Sequence, residues 1–64
     1  MKVFIEKDKK LLELDKDCTG TELLKELNIN PSTVLLVKNN EIVLTEELLT
    51  INDDIKILSV ISGG

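Results

Sequence analysis

The sequence predicts an α+β roll: a mixed sheet of about five short strands packed on one short helix. Three observations predict it. Apolar and polar residues alternate near both ends, at Met1–Glu6 and Ile55–Val60, the period of a strand with one buried face. One stretch, Thr19 to Leu27, switches to helical spacing between a start signal and a stop signal. Between that helix and the final strand lies Val34-Leu35-Leu36-Val37, apolar on both faces, which suits a central strand covered on each side.

In chain order, Val3 and Ile5 face one way and Lys2, Phe4 and Glu6 the other. Lys7-Asp8-Lys9-Lys10 is a charged turn, and Leu12 and Leu14 resume the alternation, so a β-hairpin opens the protein. Thr19 with Glu22 makes a capping box, each side chain satisfying a free backbone N–H of the other. Leu23, Leu24 and Leu27 follow at helical spacing, with Glu22 placed to pair Lys25. Asn28 suits the left-handed position after a helix, Ile29 the hydrophobic contact beyond it, and Pro31 prevents continuation. The predicted helix is therefore Thr21 to Leu27. Asn39-Asn40 tolerates positive φ between Val37 and the short strand Ile42-Val43-Leu44. Thr45-Glu46-Glu47-Leu48 reads as a capped single helical turn, and Asn52-Asp53-Asp54 as the turn before the last strand.

Composition bounds the function. Sixty-four residues make one small domain, residues 1–64, whose core must be almost wholly aliphatic because Phe4 is the only aromatic. Twelve acids against eight lysines give a net charge of −4, which argues against nucleic acid and for a partner with a basic docking surface. There is no histidine, so the usual neutral-pH general base is missing, and transition-metal coordination is not expected. No apolar run approaches a membrane span and no signal sequence opens the chain, so a cytoplasmic protein, monomeric when free, is expected. The single cysteine, Cys18, excludes an internal disulfide. A thiolate near a helix N-terminus would be favoured, giving a persulfide or redox role. The competing reading, a small apolar filler, is the commoner one for a lone cysteine. Asp53-Asp54 and Glu46-Glu47 are the adjacent carboxylate pairs, both at predicted turns or caps, where solvated local roles are expected.

The chain closes on Ser59-Val60-Ile61-Ser62-Gly63-Gly64, with two of its three glycines in the last two positions. At average glycine usage such a pair arises by chance about once in 200. The order of elements, the length and this Gly-Gly together resemble the β-grasp of ubiquitin-like proteins, and most nearly the ubiquitin-like sulfur carrier family. That family comprises the thiamine-biosynthesis sulfur carrier, the small subunit of molybdopterin synthase and the archaeal small modifier proteins. The resemblance is carried by Thr19-Gly20-Thr21-Glu22-Leu23-Leu24-Lys25-Glu26-Leu27, by Val37-Lys38-Asn39-Asn40-Glu41-Ile42-Val43, and by Asp54-Ile55-Lys56-Ile57 through Gly63-Gly64. Gly20 departs from the pattern, since the family's helix usually carries a branched apolar residue there.

The resemblance implies a co-substrate rather than an enzyme, with no bound cofactor. An adenylating activating enzyme, using ATP, would join AMP to the Gly64 carboxylate, and sulfur would displace AMP to leave a thiocarboxylate. The acceptor would be a synthase, with thiazole formation in thiamine biosynthesis favoured over molybdopterin formation or tRNA thiolation; the modifier alternative joins Gly64 to a target-protein lysine. Glycine suits the task because it has no Cβ to obstruct attack and can thread a narrow channel. Ile61, Ser62, Gly63 and Gly64 fully extended would reach roughly 13–14 Å. If Val3, Ile5, Leu12, Leu14, Val34, Leu36, Ile55 and Ile57 point at the helix, then Phe4, Leu35, Val37, Leu58 and Val60 point away. In a β-grasp the first, third and fifth strands are neighbours, so these five would form an exposed apolar docking face.

Overall fold

The computed structural model describes residues 1–60. Its elements are β1 (Lys2–Ile5), β2 (Lys10–Glu13), β3 (Cys18–Thr19), helix α1 (Gly20–Glu26), β4 (Val34–Lys38), β5 (Glu41–Val43), β6 (Leu48–Leu49) and β7 (Asp54–Ser59). Five strands form one sheet in the order β2-β1-β7-β4-β5, and β3 and β6 form a second, two-residue ladder. β1 and β7 run parallel, whereas β1–β2, β7–β4 and β4–β5 are antiparallel. The sheet is mixed, and the opening strand, the strand after the helix and the last strand lie side by side, as a β-grasp requires.

The helix forms for the local reasons its sequence carries. The Glu22 N–H donates to Thr19 Oγ1 at 3.2 Å, and the Thr19 N–H donates to Glu22 Oε1 at 2.9 Å, closing the capping box. At the other end Asn28 takes φ 61°, Ile29 N–H bonds Leu24 O at 2.8 Å and Asn28 N–H bonds Lys25 O at 3.1 Å. That pair of bonds is a Schellman motif. The helix starts and stops one residue before the predicted bounds. Leu23 and Leu24 are fully buried, joining Val3, Ile5, Leu36, Leu49, Ile55 and Ile57 in the core. Each such side chain contributes about 1.5–3 kcal/mol of burial free energy.

Gly20 has a tertiary reason. A Cβ there would stand 2.4 Å from Leu36 Cδ2 and 2.9 Å from Thr45 O. The close approach lets Gly20 N–H reach Glu47 O at 3.1 Å and Thr21 N–H reach Thr45 O at 2.8 Å. The helix start is therefore pinned to the 44–49 segment, and the departure from the family pattern makes that end tight. Residues 45–48 are not the helical turn expected. A turn closed by Glu47 N–H to Leu44 O, 3.1 Å, leads directly into β6, where Leu48 pairs Thr19 and Leu49 pairs Cys18. Burial of Leu49 against the core outweighs the local capping preference of Thr45.

The β4–β5 hairpin turns on Asn39 and Asn40, both at positive φ, as expected for a type I′ turn. Asn39 also fastens it to β7: its Nδ2 donates to Asp53 Oδ1 at 3.0 Å and its Oδ1 accepts from Asp54 N–H at 2.9 Å. The opening hairpin turns at Glu6–Lys9, with Lys9 at φ 50°. Pro31–Thr33 form a 3-10 turn, not anticipated from the sequence, with Asn30 Oδ1 accepting from Ser32 N–H at 2.9 Å. No described helix is long and apolar enough to cross a membrane.

Candidate functional site

The predicted tail residues Ile61, Ser62, Gly63 and Gly64 fall outside the described residues. What the structure shows is the base from which they leave. β7 is the middle strand of the sheet, held by β1 on one side and β4 on the other. Its register with β4 runs from Ile55 opposite Lys38 to Ser59 opposite Val34, and Val60 N–H then donates to Thr33 O at 3.0 Å. The last described residue is thus tied to the sheet by its backbone. β1 pairs β7 only as far as Ile57, so the backbone from Leu58 to Val60, where the tail begins, is held on the β4 side.

Beside that exit lies the open face of the sheet. Cross-strand pairing places Leu11 opposite Phe4, Phe4 opposite Lys56, Lys56 opposite Val37 and Val37 opposite Ile42. Directly opposed residues share a face, so these five form one row across all five strands. Leu35 pairs Leu58 in the next row, and Val60, just past the end of β7, is exposed. Of the predicted docking residues, the register places Phe4, Leu35, Val37 and Leu58 on this face, and Val60 lies beyond it. Two corrections follow. Val37 is 8% exposed, closed in on an inner strand between Lys56 and Ile42, so it supports the patch from beneath and is not an accessible contact. Leu11 and Ile42, 62% and 68% exposed, belong to the patch although the sequence reading left them out. The signal for Leu11 was present: Leu12 points inward, so its neighbour must point out. Ile42 needed the hairpin register, because its segment shows no clean alternation.

Cys18 is buried in the core, pairs Leu49 in the β3–β6 ladder and carries no disulfide. Burial pushes its thiol up from the ordinary value; the cation of Lys16 opposes this, and the carboxylates of Glu22, Glu26 and Asp17 reinforce it. Burial in the core and a thiol pushed up by desolvation favour the apolar-filler reading over the activated thiolate. The paired acids have local structural work. Asp53 accepts from Thr50 N–H at 2.8 Å and from Thr50 Oγ1 at 3.2 Å, besides its bond to Asn39. Those hydrogen bonds, Thr50 N–H foremost, hold its carboxyl below the usual range, with Lys38 at 3.7 Å adding to the shift. Lys38 also reaches Glu47 Oε2 at 3.2 Å and Leu48 O at 3.1 Å. Among the described residues, no three His, Cys, Asp or Glu side chains lie together as a metal site.

Comparison with known proteins decides the class. The sequence matches the ThiS family over residues 3–64. The chain belongs to the ThiS family. It is also 35% identical over 57 residues to the sulfur carrier protein TtuB of Thermus thermophilus, the alignment covering 89% of this chain and 88% of that relative. The match is nearly end to end in both proteins, so it relates whole domains. ThiS membership accounts for the β-grasp, and the chain is a ubiquitin-like sulfur carrier.

Proposed function

We propose that this sulfur carrier works through the carboxylate of Gly64, which a partner enzyme adenylates and converts to a thiocarboxylate. The carboxylate oxygen attacks the α-phosphorus of ATP, the phosphoanhydride bond breaks and pyrophosphate leaves. A carboxylate is a poor electrophile, and the resulting acyl adenylate is a good one because AMP departs readily. A sulfur nucleophile at the sulfide level then attacks the carbonyl carbon and AMP leaves, giving the thiocarboxylate. The chain itself contributes presentation. The backbone bond of Val60 to Thr33 at the end of the central strand supports the reading, because it sets the origin from which the tail must reach a recessed site.

In this scheme the chain is a co-substrate, ATP belongs to the partner, and the open sheet face beside the tail is where the activating enzyme grips. The acceptor we favour for the thiocarboxylate sulfur is thiazole formation in thiamine biosynthesis, with tRNA thiolation and molybdopterin formation as the alternatives; the likeness to TtuB weighs toward tRNA thiolation among them. Deleting Gly64 should leave the melting temperature unchanged and abolish ATP–pyrophosphate exchange with the cognate adenylating enzyme. Undiminished exchange by the truncated protein sinks the covalent role. Intact-mass measurement of the protein from its own cells should show oxygen replaced by sulfur at the C-terminus. The thiocarboxylate, offered in turn to thiazole synthase, the molybdopterin synthase large subunit and a tRNA-thiolating enzyme, should deliver sulfur to the first. Delivery to another reassigns the pathway, and a mass increment matching an isopeptide-linked target makes the chain a modifier.

A further inference from the structure

The open face carries exposed apolar side chains and, in their midst, one cation. Lys56 is the central residue of the row Leu11–Phe4–Lys56–Val37–Ile42, on the central strand. Its two cross-strand neighbours are Phe4 and Val37, and Leu58 follows it on the same face. The other lysines near the sheet are differently placed. Lys2, on the same face, stands in register between Glu13 and Asp54, so carboxylates flank its charge. Lys38, on the helix side, is engaged by Glu47 and Asp53. Lys10, opposite Ile5, lies on the other face; like Lys2 and Lys10, Lys56 has no ion pair among the described residues, and it is the one set between apolar neighbours. Asp54, the nearest acid along its own strand and face, lies two residues back, roughly 6–7 Å away, and directly opposite Lys2.

We infer that the open face fits a partner protein that presents an Asp or Glu carboxylate from within an apolar surface, seated against Lys56. This rests on the reading that an adenylating enzyme grips this face. Any apolar surface that covers Leu11, Phe4 and Ile42 strips water from the ammonium between them. A desolvated, unpaired cation is costly, so a partner that is apolar at that point is penalised and one that is basic at that point more so. The basic surface that a net charge of −4 favours therefore belongs around the Lys56 contact, not on it. A carboxylate at that point offsets the cost, and charge placement of this kind selects partners more than it raises raw affinity. A depression of about 330 Å³ lies beside Lys56, bordered by Phe4, Leu11, Asn39, Asn40, Lys2 and Asp54, so a second ammonium and one carboxylate of this chain also line the space. Lys56 is thereby a specificity determinant of the docking face, and the surrounding leucine and isoleucine side chains supply the contact area.

Affinity for the cognate adenylating enzyme, measured by calorimetry with the full chain, tests this. Lys56→Met keeps most of the stem and removes the charge. It should weaken binding about tenfold or more, with the melting temperature unchanged, and Lys56→Glu should weaken it further. Ile42→Asp should also weaken it. Zero-length carbodiimide coupling of the wild-type complex should join Lys56 to an Asp or Glu of the enzyme. If Lys56→Met binds as well as wild type while Ile42→Asp does not, the face docks but the ammonium escapes to the rim, and the carboxylate is overturned. If neither variant alters binding while ATP–pyrophosphate exchange proceeds, adenylation stands and the docking face lies elsewhere. Binding that responds to Lys56 without any exchange leaves the surface standing and sinks the adenylation reading.

Discussion

Along β7, successive residues meet two different worlds. Ile55 and Ile57 point to the side of α1 and are all but fully buried with Leu23, Leu24 and Val3, whereas Lys56 and Leu58 point to the side that no described element covers. One strand therefore serves both as the centre of the core and as the centre of the surface offered to partners. The helix side is closed by short-range fit: Leu36 lies against Gly20 so tightly that a single added methyl group would collide with it. The open side carries exposed Leu11, Leu35 and Ile42, with Val60 exposed just past the end of β7, although Leu44, Leu48 and Ile51 are exposed to a similar degree in the 44–51 segment. Substitutions on one side should register as stability and on the other as affinity.

The sharpest way to break this comparison is Ile57→Asp, which buries an unpaired charge in the core. A domain of this size has about 3–5 kcal/mol of net stability, so the variant should show no cooperative thermal transition by circular dichroism. A normal melt would show that the helix side is not the core. Gly20→Ala comes next. Its Cβ meets Leu36 Cδ2 and the Thr45 carbonyl, and overpacking of this kind costs about 1–3 kcal/mol. In so small a domain each kcal/mol lowers the melting temperature by roughly 4–8 °C. An unchanged or higher melting temperature would mean the 44–49 segment shifts freely away from the helix start.

Asp53 sharpens the comparison at the edge between the two sides. Its carboxyl is held below its ordinary value, so the stabilisation it brings is present above the unfolded value of about 3.9 and lost as pH falls through the lower folded value. Asp53→Asn should therefore lower the melting temperature modestly at neutral pH and leave less further loss on acidification. Parallel melting curves for the two proteins between neutral and strongly acid pH would contradict this role. The smallest stability effect belongs to Leu58→Asp on the open side. Its side chain is half-buried, so a slight drop in melting temperature accompanies a roughly tenfold to hundredfold loss of affinity for the adenylating enzyme. A large drop in melting temperature with intact binding would invert the two faces.

Much of this was legible in the sequence because the signals are local. The capping box of Thr19 and Glu22, the stop at Asn28 and Pro31, and the alternation of Val3, Ile5, Ile55 and Ile57 each depend on neighbours within a few residues. They determined the helix to within a residue at each end and which side of the first and last strands faces the core. The resemblance added the strand order. What escaped depends on partners far along the chain. The β3–β6 ladder joins Cys18 to Leu49, and Gly20 is required by Thr45 and Leu36. No local pattern announces either. Val37 and Lys56 are outward by alternation alone, but the sheet register decides that one is closed in by its neighbours and the other is an unpaired cation between Phe4 and Val37. Alternation assigns a side chain to a face. Only pairing between strands decides what stands next to it, because the contacts that close or expose a side chain on a sheet come from residues distant in sequence.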